Sequence, residues 1–545
     1  MKIAMIQANP VIGDFEANTA RILQYITQAQ RAGCALAVLP ELAVSGYPPQ
    51  DYLEHEAFLA RQDQALERLI GQTHGIGVIC GAITRHTGAT GKPLHNSALL
   101  FEDGRLLFVA HKRLLPTYDV FDESRYFEPG AAGIPFFYKG LRLGLTICED
   151  IFNDEDGFPH PLYQVNPVAD LKNAGMDLLI NIAASPFTMG KQQLRLSLFS
   201  RLCRKHRVPL LYVNQVGGQD SVLFDGASLV LDENGRLCRQ AAAFQEELLI
   251  IDSEAITSGT EPALPDETAL VFQALAMGCR DYIRKCGFSR VLLGLSGGID
   301  SALTCAVATE ALGRENVMGV ALPSPYTSEA SIEDAQQLAL NLGIRFEIIP
   351  ITDPFDSLRR SLSPLFAGRA EDVTEQNIQA RIRGTLLMAM ANKFGALLLS
   401  TGNKSEMAVG YCTLYGDMAG ALSLLADVPK QLVYELSRFV NREREIIPPR
   451  TISRAPSAEL APNQTDQDDL PPYEVLDPIL KAYLEEHRSI EEIAAQGFAR
   501  SIVADTVRRI KRNEYKRHQA AMGLKITSKA FGFGRRYPVA QNFKE

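Results

Sequence analysis

The sequence predicts two α/β domains in tandem: a sandwich built on mixed sheets, then a parallel, doubly wound sheet. Three observations lead there. In the first half, short apolar runs alternate with helical patterns, and several runs follow one another directly, as in a partly antiparallel sheet. Beyond residue 267 the pattern becomes a regular alternation of strand and helix. Between the two, residues 254–266 are loose and hold two prolines, which marks a linker. The expected division is 1–253, linker 254–266, and 267–545.

KIAMIQ (2–7) is too short an apolar run for a signal peptide and reads as the first strand. Apolar residues at helical spacing follow at 16–32, 56–73 and 191–206. Strands are expected at 36–40, 76–83, 96–102, 141–148, 176–183, 209–217 and 227–232. The second half gives helices at 267–286, 299–312, 328–342 and 374–394. They interleave with strands at 291–295, 316–322, 346–351 and 396–400. Residues 454–473, rich in Pro, Asp and Asn, predict a flexible, lid-like excursion, and 474–518 return to short helices.

Composition excludes several classes. A net charge of −9 argues against a nucleic-acid protein with a broad basic face; the one basic run, RRIKRNEYKR at 508–517, reads as a solvated helix face. The nine cysteines form no C-x-x-C pair, as in a reducing cytoplasm rather than a disulfide framework or zinc site. No apolar stretch reaches the roughly 18 residues of a membrane span, so no membrane partner is expected.

In GLSGGIDS (294–301) the chain leaves a strand and enters a helix through Gly297 and Gly298. Such backbone approaches a ligand closely and aims successive N–H groups at it, with a helix N-terminus behind. Ser296 and Ser301 can donate hydroxyl hydrogen bonds to phosphate, and Asp300 suits Mg²⁺ bridging those anions. The Lys-Ser/Thr ending of a P-loop is absent. The run S-G-G-x-D-S resembles the loop of N-type ATP pyrophosphatases, which split ATP between its α and β phosphates, so the loop holds the departing pyrophosphate. Further stretches, EQNIQARIRGT (375–385), STGNKSE (400–406), YCTLYGD (411–417), SAEL (457–460) and YKRHQAAMGLK (515–525), resemble the NAD synthetase family over 267–525. That resemblance implies adenylylation of the nicotinate carboxylate of deamido-NAD, then displacement of AMP by ammonia. It implies that Gly294, Leu295, Ser296, Gly297, Gly298, Ile299, Asp300 and Ser301 bind the ATP phosphates, with Thr401, Lys430 and Ser457 as further ATP contacts. It implies deamido-NAD contacts at Asn377, Arg381, Glu406 and Lys516, and Mg²⁺ ligands at Asp300 and Glu406. Where ammonia-dependent relatives carry a lysine, this chain has Leu414, and that contact is not carried over.

In the first half, LRLGLTICED ends its apolar run at Cys148. A cysteine at a strand's exit presents its sulfur above the sheet and needs a base to become nucleophilic. Glu41 in LPEL is placed to take the proton, and Lys112 in HKRLLP to stabilise thiolate and then oxyanion. In that order Glu41, Lys112 and Cys148 resemble the catalytic set of the nitrilase or carbon–nitrogen hydrolase superfamily, over about residues 1–250. The second half requires ammonia, so L-glutamine is the economical amide. By resemblance to glutamine-dependent NAD synthetases, Tyr118, Ser185 and Lys191 line its pocket.

These resemblances imply an N-terminal α/β/β/α nitrilase-like sandwich and a C-terminal Rossmann-like doubly wound sheet. They also imply a passage carrying ammonia from Cys148 to the end of the 396–400 strand, a glutaminase rate raised by occupancy of the synthetase site, and a homo-oligomer, at least a dimer. Other amidating enzymes fit less well. Residue 2 is Lys, not the N-terminal cysteine of asparagine synthetases, and Cys148 lies in TICED, not the G-x-C-x-G of GMP synthetase glutaminases. No G-x-G-x-x-G follows a strand where a dehydrogenase would need it.

Overall fold

Strand alternation sets the layering of the first unit. Lys2–Gln7 (β1) turns Ile3 and Met5 to one face and Ala4 and Ile6 to the other. In the computed structural model, which describes residues 1–153, 160–256, 266–543 and 545, the two sets enter different cores. Ile3 and Met5 pack with Leu143 and Leu145 of a second sheet. Ala4 and Ile6 pack with Phe15, Ile22 and Ile26 of the helix Phe15–Arg31. On the far side, Leu198, Phe199 and Leu202 of the helix Lys191–His206 join the core of the second sheet. The order is helix, sheet, sheet, helix, which is the α/β/β/α sandwich the sequence implied.

The first sheet runs β14–β1–β2–β3–β4–β5. Its strands are Leu36–Val38 (β2), Gly77–Arg85 (β3), Leu94–Glu102 (β4), Arg105–His111 (β5) and Glu247–Asp252 (β14) around β1. β14 returns from the end of the unit to pair antiparallel with β1, Lys2 opposite Asp252 and Gln7 opposite Glu247. The second sheet runs β13–β12–β9–β8–β7–β6. It comprises Phe136–Tyr138 (β6), Leu141–Ile147 (β7), Leu178–Ala183 (β8), Leu210–Asn214 (β9), Leu229–Leu231 (β12) and Leu237–Gln240 (β13). The single strand expected at 209–217 is two. After Asn214 the chain changes partners, with the Gln215 and Val216 amides donating to the Ala183 and Ala8 carbonyls, 2.9 and 3.1 Å. A hairpin of Val216–Gln219 (β10) and Val222–Asp225 (β11) follows.

The chain divides into Met1–Pro265 and Asp266–Glu545; residues 257–265 of the expected linker lie outside the described residues. The second unit is a parallel sheet ordered β17–β16–β15–β18–β19–β20. Its strands are Val291–Gly294 (β15), Val317–Ala321 (β16), Arg345–Ile348 (β17), Leu397–Ser400 (β18), Leu422–Ser423 (β19) and Met522–Gly523 (β20). β15 has β16 on one side and β18 on the other, so the chain reverses direction of winding there. Loops at such a switch point open a crevice at the strands' carboxyl ends. The excursion at 454–473 is folded, not loose. Glu459 accepts from the hydroxyls of Ser328 and Ser331, 3.0 and 2.8 Å, and buried Asp466 accepts from Tyr473 Oη at 2.7 Å. Among the described residues no helix is long and apolar enough to cross a membrane.

Gly81 in β3 lies against the loop that follows β2. A Cβ there would sit 2.3 Å from the Leu42 nitrogen, 2.5 Å from the Pro40 carbonyl oxygen and 2.6 Å from Glu41 Cα. All three are backbone atoms and cannot swing aside. Gly81→Ala should therefore destabilise the first unit by about 1–3 kcal/mol, read as a lower thermal midpoint; an unchanged midpoint would refute the close approach.

Candidate active sites

β7 ends at Ile147 and Cys148 turns the chain with φ 42°, in the left-handed region that a residue with a Cβ occupies only at a cost. The turn is held by Asp150. Its Oδ2 accepts from the Ile147 amide at 3.0 Å, and its Oδ1 accepts from the Arg113 and Leu114 amides at 3.0 and 2.9 Å. One buried carboxylate thus ties the cysteine turn to the segment that carries Lys112.

Lys112 is fully buried and lies between two carboxylates. Its Nζ donates to Glu41 Oε1 at 2.8 Å and to Glu123 Oε1 at 2.7 Å. Glu41 also accepts from Asn96 Nδ2 at 2.6 Å and, through Oε2, from the Ala184 amide at 2.9 Å. Tyr47 Oη donates to Glu123 at 2.7 Å. Lys112 is held firmly charged, because the fields of Glu123 and Glu41 overcome the burial that opposes its charge. Burial first, and then the charge of Glu41, push the Cys148 thiol well up; Lys112 offsets this only in part. The resting cysteine is therefore a thiol, and its nucleophilicity depends on a base at the moment of attack.

Glu41, Lys112 and Cys148 lie together in the folded chain, and Glu123, which no sequence motif marked, joins them. Glu123 stands eleven residues after Lys112 and opens the single 3-10 turn Glu123–Arg125, too short for any periodicity to fix which side chain returns. Tyr118 donates to both oxygens of Glu149, 3.0 and 2.9 Å, and Tyr163, also unmarked, donates to the same carboxylate at 3.1 Å. Lys191 Nζ lies 5.5 Å from the Phe152 ring centre and adds its positive field at Glu149. Ser185 is more deeply set. Its carbonyl and hydroxyl accept from Arg195 Nη2, 2.9 and 3.3 Å, and Arg195 is itself buried in a 2.8 Å ion pair with Asp225.

In the second unit a cavity of about 730 Å³ opens at the carboxyl end of β15. It is lined by Gly294, Leu295, Ser296, Gly298, Ile299, Asp300 and Ser301, and also by Asn377, Thr401, Glu406, Lys430, Ser457 and Lys516. Gly297 stands behind this lining. It has φ 79°, and a Cβ there would lie 2.3 Å from the Ser331 carbonyl oxygen, so only glycine fits. Its carbonyl accepts from Arg454 Nη2 at 3.1 Å. The serines hold the loop itself: the Ser296 and Ser301 hydroxyls are 3.2 Å apart, and Ser301 donates to the Gly298 carbonyl at 2.9 Å.

Lys430 pairs with Asp300 and lies 3.6 Å from Glu406 Oε1. Burial, then the charge of Asp300, push Glu406 up to about 8 despite Lys430. Asn403 links the pair. Its Nδ2 donates to Asp300 at 2.9 Å, and its Oδ1 accepts the Glu406 amide at 3.0 Å, as the capping box N-K-S-E predicts. Two hard carboxylates sharing one ammonium suit a further cation. Among the described residues no three His, Cys, Asp or Glu side chains form a metal cluster.

Asn377 Oδ1 accepts from Thr413 Oγ1 at 2.7 Å, the Ser457 hydroxyl donates to the Gln464 carbonyl, and Lys516 donates to the Gly410 and Cys412 carbonyls, 2.8 Å each. Arg381 is not among the lining residues. It is exposed, and its Nε donates to the Leu414 carbonyl at 3.2 Å. Arg383, two residues on, lines the cavity instead.

Burial, offset in part by Lys112, pushes Glu123 up to about 7 from an ordinary 4.5. Its Oε2 is buried without a hydrogen-bond partner among the described residues, so no donor stabilises charge on that oxygen. The folded chain holds a proton there that the unfolded chain releases near 4.5. Stability from that proton is full below 4.5 and is lost as pH rises through about 7. Glu123→Gln cannot titrate, so its thermal midpoint should fall less than that of the wild type between about pH 5 and 8. Parallel midpoint curves would sink this account.

Comparison with known proteins covers both units. Residues 2–257 match the carbon–nitrogen hydrolase family and residues 271–520 the NAD synthase family. A glutamine-dependent NAD(+) synthetase of Synechocystis sp. is 48% identical over 99% of this chain and 99% of the relative. One of Thermotoga maritima is 44% identical over 100% of this chain and 99% of the relative. The solved structure of the glutamine-dependent NAD+ synthetase from Acinetobacter baumannii in complex with ADP is 41% identical, with a TM-score of 0.78 over 99% of this chain and 98% of that one. Matched from end to end, this chain belongs to the family of glutamine-dependent NAD(+) synthetases.

Proposed function

We propose that this chain makes NAD from deamido-NAD, ATP and L-glutamine, releasing AMP, pyrophosphate and glutamate. The observation that carries the reading is the pairing, in one chain, of a buried thiol beside Glu41 and Lys112 with a cavity built on the S-G-G-x-D-S loop.

Residues 1–253 act as the glutaminase and 267–545 as the synthetase, joined by the linker 254–266. Glu41 takes the Cys148 proton as sulfur attacks the amide carbon. Lys112 faces the developing oxyanion. Glu41 returns the proton to the leaving ammonia, then activates water to hydrolyse the thioester to glutamate. Tyr118, Ser185 and Lys191 orient the glutamine. In the synthetase the nicotinate carboxylate attacks the α-phosphorus of ATP, and pyrophosphate departs into the loop 294–301. Ammonia then adds to the acyl adenylate and AMP leaves. Thr401, Lys430 and Ser457 contact ATP; Asn377, Glu406 and Lys516 contact deamido-NAD, and the contact that the resemblance implied for Arg381 is not carried forward, because that side chain is exposed and outside the cavity lining. Asp300 and Glu406 would hold Mg²⁺, which supplies charge to offset that of the polyphosphate.

Ammonia passes between the units without release. In neutral water most of it would become ammonium and lose its nucleophilic lone pair. All nine cysteines are free thiols, which supports a cytoplasmic setting. The family resemblance supports a homo-oligomer, at least a dimer; sedimentation that finds only monomer would remove that part.

Cys148→Ala should lose NAD formation from glutamine by about 10³-fold or more. With ammonium as nitrogen source it should keep NAD formation at the wild-type level. Product analysis decides: a variant that still used glutamine would take Cys148 out of its role.

A further inference from the structure

The helix Val373–Phe394 presents Asn377, Ala380, Arg383, Gly384 and Leu387 to the cavity, at the three- and four-residue steps of one helix face. Arg381 falls between those steps and turns away. The cavity therefore meets a guanidinium from this helix, but from Arg383.

Cations in this cavity differ in how far they are already occupied. Lys430 is paired with Asp300. Lys516 donates to two carbonyls. Arg454 donates to Ser331 Oγ at 3.0 Å and to the Gly297 carbonyl at 3.1 Å. Arg383 donates only through Nε, to the Leu322 carbonyl at 3.0 Å, and among the described residues it makes no ion pair. The acids whose fields reach it are engaged elsewhere: Glu459 with Ser328 and Ser331, Asp417 with the Thr413 amide at 2.7 Å. A guanidinium carries five N–H donors in a planar fork, so four are uncommitted in a site that must admit two polyanions.

We infer that Arg383 is a substrate-binding residue whose terminal nitrogens grip an oxyanion, phosphoryl or carboxylate, of one of the two nucleotide substrates. The inference rests on reading this cavity as the site for ATP and deamido-NAD. The Nε bond to Leu322, just past the end of β16, aims the fork, leaving both terminal nitrogens for the two oxygens of one anion. Burial pulls the guanidinium down to about 10, the mark of a cation without a close counter-charge; an arriving anion relieves that cost. Lysine would keep the charge but lose the fork.

The test compares wild type, Arg383→Lys and Arg383→Met as full-length chains with ammonium as nitrogen source. KM for ATP and for deamido-NAD are measured separately, together with the shift in thermal midpoint that each nucleotide produces alone. We expect Arg383→Met to lose about tenfold to a hundredfold in kcat/KM through a raised KM for one nucleotide. That nucleotide should also lose its midpoint shift, and Arg383→Lys should fall between. A raised KM for ATP identifies its phosphates as the anion; a raised KM for deamido-NAD identifies its pyrophosphate or carboxylate. Both KM values within twofold of wild type, or a fall in kcat alone with both midpoint shifts intact, would overturn the inference. Failure of the wild type to make NAD would instead sink the reading of the cavity itself.

Discussion

A buried ammonium shared by two carboxylates underlies both sites. Taking a charge out of water costs several kcal/mol per ion, recovered only by close, hydrogen-bonded partners. Lys112 has Glu41 and Glu123; Lys430 has Asp300 and Glu406. In each set two acids face one base, which leaves an excess negative charge in a medium that does not tolerate it. One acid responds by holding its proton more tightly: Glu123 is pushed up to about 7 and Glu406 to about 8.

The two sets resolve that excess differently, and the difference matches their chemistry. Around Lys112 everything needed is protein. Tyr47 supports Glu123, Asn96 and the Ala184 amide hold Glu41, and Asp150 fixes the cysteine turn. Burial and the charge of Glu41 keep the thiol protonated beside that fixed carboxylate. Around Lys430 the protein provides the acids and a single ammonium, and the cavity stays open. That arrangement suits ligands that bring their own charge.

Much of this was legible in the sequence because it depends on periodicity or local order. The helix 299–312 falls on Ile299–Leu312, and 191–206 on Lys191–His206. The parallel rhythm of the second half is a parallel sheet. Pairing at a distance was not legible: β14 closes the first sheet from 240 residues away in chain order, and its run ELLIID resembles many other apolar runs. The sites divide in the same way. Glu41, Lys112 and Cys148 stand at or just past strand ends, whereas Glu123 and Tyr163 reach the same region from a short 3-10 turn and a loop whose course no local rule fixes. On the helix Val373–Phe394 the motif drew attention to Arg381, while the helical step from Ala380 selects Arg383.

The two turns share a device and differ in one side chain. Each follows a strand that lies beside a parallel neighbour, β7 before Cys148 and β15 before the phosphate loop, and each needs a residue with positive φ. At Gly297 the backbone amides of the turn are what a phosphate would use, so no side chain is wanted and the Ser331 backbone closes in where a Cβ would stand. At Cys148 the side chain is the proposed nucleophile, so glycine cannot serve. The left-handed turn then costs about 1–2 kcal/mol, a strain that Asp150 holds in place with three backbone hydrogen bonds. Asp150 therefore fixes the direction of the thiol, and the strand end alone does not.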